Sequence, residues 1–306
     1  MNLENPLEQN QFLPPCRGKA RMGVESSNSR TSTPSPTLPL QGGGDVVVLN
    51  RLSKMKRTLL LGVALGMVTT VFAEEVSVTP YRPTVTNSAG LSAPGWFELE
   101  TGFFTQENKD GSKQQSLLYL TKLAFTPDFG VLIGGDAYAS QTDASANRVS
   151  GVGDTLVLLK HRFVMNEDAA LGCEYGFKAP TAATGLGSGK SDLVLNGIYS
   201  RNIRGHSLDV NMNVTRLGDA LATESAYQYG WSGTVFRPID DKWGVMVELS
   251  GSMRNGFIPQ NQWLVASSYA LSNKVVFDAG LSAGINSASH RVALFGGVSM
   301  LLGKIR

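Results

Sequence analysis

This 306-residue chain has little cysteine and little charge. Its cysteines are Cys16 and Cys173, and only 17% of its residues are charged. Lysine and arginine (27) nearly balance aspartate and glutamate (25) and form no basic stripe, so nucleic acid is not an expected partner. No long apolar run follows Ala73, which predicts no transmembrane helix beyond that residue. Cys173 is alone after Ala73, so no disulfide is expected within that part of the chain.

The one extended apolar stretch, residues 58–73, has the layout of a secretory signal peptide. Lys56 and Arg57 precede it, and it is shorter than the roughly 20 residues of a spanning helix. Small residues lie at the positions that signal peptidase reads. The sequence therefore predicts a signal peptide over 55–73, with cleavage between Ala73 and Glu74, and export of the remainder. The alternative is an anchor that stays attached.

Residues 1–54 are rich in Ser, Thr, Pro and Gly and have no hydrophobic period. Such a segment cannot bury enough apolar surface to offset chain entropy, so we expect a disordered leader. A signal peptide normally emerges first, so one hypothesis is that translation begins at Met55 and residues 1–54 are a start-site artefact. The other is an unusually long leader that is removed with the signal.

Period-two alternation dominates from residue 95 onward. Leu208, Val210 and Met212 share one face of a strand, for example, and Asp209 and Asn211 share the other. About twelve such segments follow one another: 95–105, 115–125, 130–140, 151–163, 169–179, 191–201, 206–217, 223–236, 242–253, 261–271, 274–285 and 290–302.

The length and number of these segments predict an all-β fold over 95–306, a closed antiparallel transmembrane β-barrel of about 12 strands. Most segments have about ten to twelve residues, which suits a tilted strand crossing a bilayer, whereas soluble strands average about five or six. Short and long polar connections roughly alternate, and aromatic residues collect near strand ends, as at the two water–lipid interfaces of barrels. Ten or fourteen strands, or a soluble β-sandwich, remain as alternatives.

Charged residues of both signs fall on the face that a barrel would turn inward. The alternation predicts as lumen-lining Glu98, Glu100, Lys122, Asp136, Asp154, Lys160, Arg162, Glu174, Lys178, Asp209, Glu248 and Asp278. They could form a salt-bridged filling that stiffens the barrel, or a polar conduit in which charge selects solutes. The preceding segment, 74–94, contains Pro80, Pro83 and Pro94, and could enter the lumen as a plug or remain outside it.

The sequence offers little support for catalysis, a cofactor or a metal. TGLGSGKS (184–191) lacks the first glycine of a phosphate-binding loop and is followed by a strand pattern instead of a helix. His161, His206 and His290 lack metal-ligand spacing. A barrel lipase would need Ser and His together, but His206 and Ser207 are adjacent and point to opposite faces of a strand. We therefore predict no enzyme, no cofactor and no metal.

Four stretches together resemble the outer-membrane transporter family of MetA-pathway phenol degradation proteins. They are PYRPTVTNSAGLSAPGWFELETGF (80–103), GVGDTLVLLKHRF (151–163), FKAPTAATGLGSGKSD (177–192) and FGGVSMLLG (295–303). Their order spans most of the chain after Ala73. The resemblance implies uptake of small compounds, often hydrophobic or aromatic.

The sequence thus predicts a Gram-negative outer-membrane channel for passive uptake of small molecules. Its expected partners are outer-membrane lipid, a small-molecule solute and the barrel-assembly machinery. The alternatives are a non-conducting structural barrel and, less favoured, an outer-membrane lipid-modifying enzyme.

Overall fold

The computed structural model describes residues 76–305, which form a closed antiparallel β-barrel. The predicted leader, the predicted signal peptide and the cleavage site at Ala73 and Glu74 lie outside the described residues. Residues 76–305 contain no helix that is long and apolar enough to cross a membrane.

The barrel wall is a meander in which each strand pairs with its neighbours in the chain, and β1 pairs with the last strand to close the ring. The strands are β1 (Trp96–Glu107), β2 (Lys113–Thr126), β3 (Phe129–Thr142), β4 (Arg148–Gly151), β5 (Thr155–Val164), β6 (Ala169–Ala179), β7 (Asp192–Ile203), β8 (His206–Arg216), β9 (Tyr227–Pro238), β10 (Trp243–Arg254), β11 (Gln260–Ser272), β12 (Val275–Gly284) and β13 (Val292–Lys304).

The short strand β4 and the strand β5 both pair with β3 and together fill one position in the ring. They are separated by residues 152–154, where the backbone N–H of Gly153 still donates to the carbonyl of Asp136 at 2.9 Å. The ring therefore has twelve strand positions, and the predicted fold class is confirmed. Closure is what the physical chemistry requires, because a sheet edge left unpaired in hydrocarbon costs several kcal/mol for each bare amide.

The two ends of the barrel differ in the length of their connections. At the short-turn end, where β1 begins and β13 ends, the turns have two to four residues: 127–128, 165–168, 204–205, 239–242 and 273–274. At the long-loop end the connections have five to twelve residues: 108–112, 143–147, 180–191, 217–226, 255–259 and 285–291. The alternation of connection lengths predicted from the sequence is therefore present.

Strand alternation gives the wall an apolar outside. Trp243, Val247 and Met212 point outward and are 48%, 55% and 71% exposed. Their neighbours on the same strands, such as Glu248 and Asn211, point inward and are buried. A continuous apolar outer surface on a closed sheet suits contact with lipid.

Candidate functional site

The lumen is occupied by the segment that precedes β1, which we call the plug (residues 76–94). It begins at the short-turn end, where the N–H of Val78 donates to the carbonyl of Asn273 at 2.8 Å. It ends there too, where Pro94 bridges to Ala124 beside the start of β1. Between these points the plug rises into the barrel and returns, and most of its residues are buried. The sequence allowed this segment to lie inside or outside the lumen, and in the structure it lies inside.

Carboxylates on the wall accept hydrogen bonds from the plug backbone. Glu98 accepts from the N–H of Thr79 at 3.1 Å. Glu100 accepts from the N–H groups of Tyr81 and Arg82 at 2.6 and 3.0 Å. A segment with no strand partner must satisfy its buried amides elsewhere, so these side chains replace the missing ladder.

Farther round the wall, polar side chains hold the second half of the plug. Glu248 accepts from both the N–H and the hydroxyl of Thr86 at 2.9 Å. Asn87 donates through its side-chain amide to Glu174 at 2.7 Å, and its carbonyl accepts from Asn211 at 2.9 Å. The plug is thus bound by wall residues on several sides of the lumen.

Two lysines of the wall lie beside the ring of Tyr81 at the centre of the plug. Lys122 Nζ is 4.0 Å and Lys160 Nζ is 4.1 Å from the ring centroid, which is within cation–π range. Lys122 forms ion pairs with Glu98 and Glu100, the latter at 2.5 Å. Lys160 pairs with Glu174 at 2.9 Å and donates to the carbonyl of Ser88 at 2.6 Å.

Arg82 anchors the plug through a two-point ion pair. Its Nε and Nη2 each lie 3.2 Å from the carboxylate oxygens of Asp278. The guanidinium rests against Gly102 and Gly297, which are register partners on β1 and β13. A Cβ at Gly297 would lie 2.6 Å from Arg82 Nε, so the absence of side chains there makes room for the guanidinium.

The structure places eleven of the twelve predicted lumen residues in the buried interior. Nearer the long loops, Lys178 pairs with Asp154 at 3.0 Å and with Asp192 at 2.9 Å. The exception is Arg162, which has the inward parity of Lys160 but lies at the short-turn rim. It is one-third exposed there and pairs with Asp128 at 3.4 Å.

The remaining inward acids extend the same pattern. Asp136 is buried beside Gly153, and Asp209 pairs with the hydroxyl of Ser200, whose oxygen also accepts from the N–H of Ala89 at 2.7 Å. Asp209 therefore acts on the plug through Ser200.

Sequence reasoning missed three groups of interior residues. Asp192 had the right parity and could have been found by alternation. Tyr81 and Arg82 could not, because the plug has no period that tells which side chains face the wall. The third group consists of inward apolar residues. One set on β9–β13 and β1 includes Phe236, Met246 and Leu264, and another around Tyr81 includes Leu120, Leu132 and Leu158. The rule that apolar side chains face lipid and polar ones face the lumen is therefore wrong for both parts of the wall.

Two cavities lie between the long loops and the plug. A vestibule of about 360 Å³ is bounded by the loops 108–112, 143–147 and 285–291, with Gln114 in its wall. Below it, a cavity of about 30 Å³ lies over the turn of the plug at Arg82, Pro83 and Val85. Both cavities lie on the long-loop side of the plug, and the smaller one is in direct contact with it.

The histidines do not meet in a common site. His161 stacks on Phe129 at 4.5 Å between ring centroids, and His290 lies in the loop 285–291, where burial lowers its pKa. His206 is exposed while Ser207 is buried in the lumen, so the two lie on opposite sides of β8. Among residues 76–305, no group of three His, Cys, Asp or Glu side chains could hold a metal ion.

No family model and no curated protein matches the chain. Among solved structures, the COG4313 outer membrane channel from Pseudomonas putida F1 superposes with a TM-score of 0.56 at 13% identity, covering 69% of this chain and 97% of that one. The KdgM porin in complex with disordered oligogalacturonate gives 0.47 at 11% identity, with 67% and 99% covered. The CymD monoaromatic hydrocarbon channel gives 0.41 at 8% identity, with 70% and 90% covered. At such identities a superposition shows the fold alone: the chain has the barrel fold of the Pseudomonas putida F1 channel.

Proposed function

We propose that this chain is an outer-membrane channel for passive uptake of small solutes, seen here with its lumen closed. The observation that carries the proposal is the plug. The segment that blocks the lumen is no part of the wall and is held by hydrogen bonds and ion pairs. Twelve strands enclose more space than the eight-stranded case, in which wall side chains alone fill the interior. Displacing one segment would therefore open a path.

The outer surface supports a Gram-negative outer-membrane location. Closed antiparallel barrels with an apolar outside, short turns at one end and long loops at the other are typical of that membrane, with the short turns toward the periplasm. The predicted signal peptide would supply export, and the barrel-assembly machinery would supply insertion. Lipid is then the permanent partner of the outer face.

Resemblance to the MetA-pathway phenol degradation family is the reason to expect small, hydrophobic or aromatic solutes. The alternative function is a structural barrel that does not conduct, and the many buried ion pairs around the plug favour it. Lipid-modifying activity has less support, because Ser207 faces the lumen while His206 is exposed.

Planar-bilayer conductance of the refolded chain separates the two functions. Arg82→Ala removes the anchor to Asp278 without altering the wall, so we expect it to raise the open probability at least about tenfold over the unaltered chain, the effect of about 1.4 kcal/mol. The matched control is Arg291→Ala, which breaks the exposed pair with Glu107 and should leave the current unchanged.

A second pair of variants tests the same anchor from the wall. Gly297→Ala would crowd both the Arg82 guanidinium and the Thr101 carbonyl on β1, because the new Cβ would lie 2.6 Å from Arg82 Nε and 2.5 Å from that oxygen. At Gly296 a Cβ has ordinary space, with its nearest neighbour 3.4 Å away. We expect current from Gly297→Ala and none beyond the unaltered level from Gly296→Ala. Folded barrels of Arg82→Ala and Gly297→Ala that both stay silent would favour the structural barrel.

A further inference from the structure

An unbroken row of inward-facing positions without polar side chains crosses six neighbouring strands, and we call it the apolar track. Each member is the register partner of the next. In order from β9 to β1 the track consists of Phe236, Met246, Ala266, Gly280, Phe295 and Phe104. Gly280 leaves room for its neighbours, because a Cβ there would lie 2.5 Å from that of Ala266.

The track runs along the lumen as well as around it. Phe236 lies two residues before the short-turn end of β9, whereas Phe104 lies three residues before the long-loop end of β1. Because the strands are tilted, a row of register partners shifts along the barrel axis as it passes round the wall. The track therefore extends from the short-turn half of the lumen to the long-loop half. Some inward positions next to it on the same strands are polar, for example Thr234, Glu248 and Asp278, whereas Leu264 and Ala293 widen the apolar surface.

The turn of the plug covers the part of this track that lies toward the long-loop end. The 30 Å³ cavity lies between Phe104 and Phe295 on the wall and Pro83 and Val85 on the plug. An apolar cavity that binds benzene has about 150 Å³, so no aromatic ring fits here while the plug is seated. Withdrawal of the plug would free that space next to two phenylalanine rings.

We propose that the apolar track is the binding path for a small uncharged aromatic solute, and that the plug turn and this solute exclude each other. This inference rests on the proposed channel function. The solute is uncharged because the six track positions offer no polar side chain that could replace the water an ion would lose. In the rest of the buried interior, acids outnumber bases. The acids are Glu98, Glu100, Asp136, Asp154, Glu174, Asp192, Asp209, Glu248 and Asp278, and the bases are Arg82, Lys122, Lys160, Lys178 and Arg254. Such an interior disfavours an aromatic anion.

The first test is block of the ion current through the Arg82→Ala channel by three probes of similar size. Phenol, neutral at pH 7, should reduce the current in a concentration-dependent manner, whereas benzoate and a neutral pentose should not. Met246→Gln makes the track polar and should weaken the phenol block about tenfold, because the aromatic ring would lose an apolar contact and would have to desolvate an amide. Met253→Gln is the same change on the outer face of β10 and should leave the block unchanged.

The second test uses the otherwise native plug. Ser88 is fully buried, so a Ser88→Cys side chain in a Cys173→Ser background should react with a water-soluble maleimide only when the plug moves. Phenol should raise the labelling rate severalfold and the pentose should not, because a ligand of the plug-displaced state shifts the population toward it.

The outcomes separate the two proposals. Current through Arg82→Ala with equal block by phenol and pentose, or equal block in Met246→Gln and Met253→Gln, would overturn the track and leave the channel standing. Absence of current together with a labelling rate that phenol does not change would overturn both.

Discussion

At the scale of single residues, Lys122 has the most demanding environment in the barrel. Its side chain is fully buried between two carboxylates and lies against the Tyr81 ring. We expect Lys122→Met to lower the free energy of unfolding by about 3–5 kcal/mol, because Glu98 and Glu100 would be left without their cation in the interior. The measurement is the urea midpoint of the refolded barrel in detergent.

The control for Lys122 is Lys242→Met in an exposed turn, which should change the midpoint little. Equal midpoints for the two variants would mean that water reaches Glu98 and Glu100 in the folded barrel. The parity of β1 and β2 predicted that these three residues face inward. Which of them would pair with one another could not be predicted, because pairing depends on the register between strands.

At the scale of elements, the β9–β10 turn is built around Asp240. Its carboxylate accepts from the N–H groups of Lys242 and Trp243 at 2.8 and 2.7 Å, and these bonds hold the pKa of Asp240 below its ordinary value. Because the folded-state pKa is the lower one, the stabilisation is complete above the unfolded value of about 3.9 and is lost as pH falls through the folded value.

Asp240→Ala should therefore lower the urea midpoint at pH 7, and the difference from the unaltered chain should shrink below pH 4. Urea titrations of both proteins at pH 7 and below pH 4 measure this difference in midpoint. Asp219→Ala, in an exposed long loop, is the comparison and should show no such pH dependence. A difference that is the same at both pH values would show that the carboxylate charge is not what holds the turn.

The strands were the most predictable elements, and the plug was the least. Alternation over ten or more residues predicted that strands such as β8 and β10 form and which of their side chains point inward. The break between β4 and β5 was missed, since a single interrupted run looks continuous in sequence. The plug has no period, and its position is decided by carboxylates far along the chain, such as Glu248 and Asp278.

At the scale of the whole molecule, the excess of buried acids predicts a cation-selective open channel. In the Arg82→Ala channel under a salt gradient, we expect a reversal potential that favours potassium over chloride. Glu98→Gln combined with Glu100→Gln should reduce that preference severalfold, whereas Glu107→Gln at the long-loop end of β1 should not. A reversal potential that the double variant leaves unaltered would remove these two residues from the ion path.

The apolar track shows the limit of reasoning about a barrel from one strand at a time. Members such as Phe236 and Met246 are single apolar residues on an otherwise polar inward face, so each looks like an exception when its strand is considered alone. Only the register of six strands joins these residues into a row.

Both legs of the plug pass through the same mouth of the barrel. No part of it has to be threaded between strands, so the cylinder can finish closing while this segment is still outside. Folding can therefore proceed in two stages, with the plug docking last. In the folded protein the plug can leave the lumen through the same end without breaking any hydrogen bond between strands.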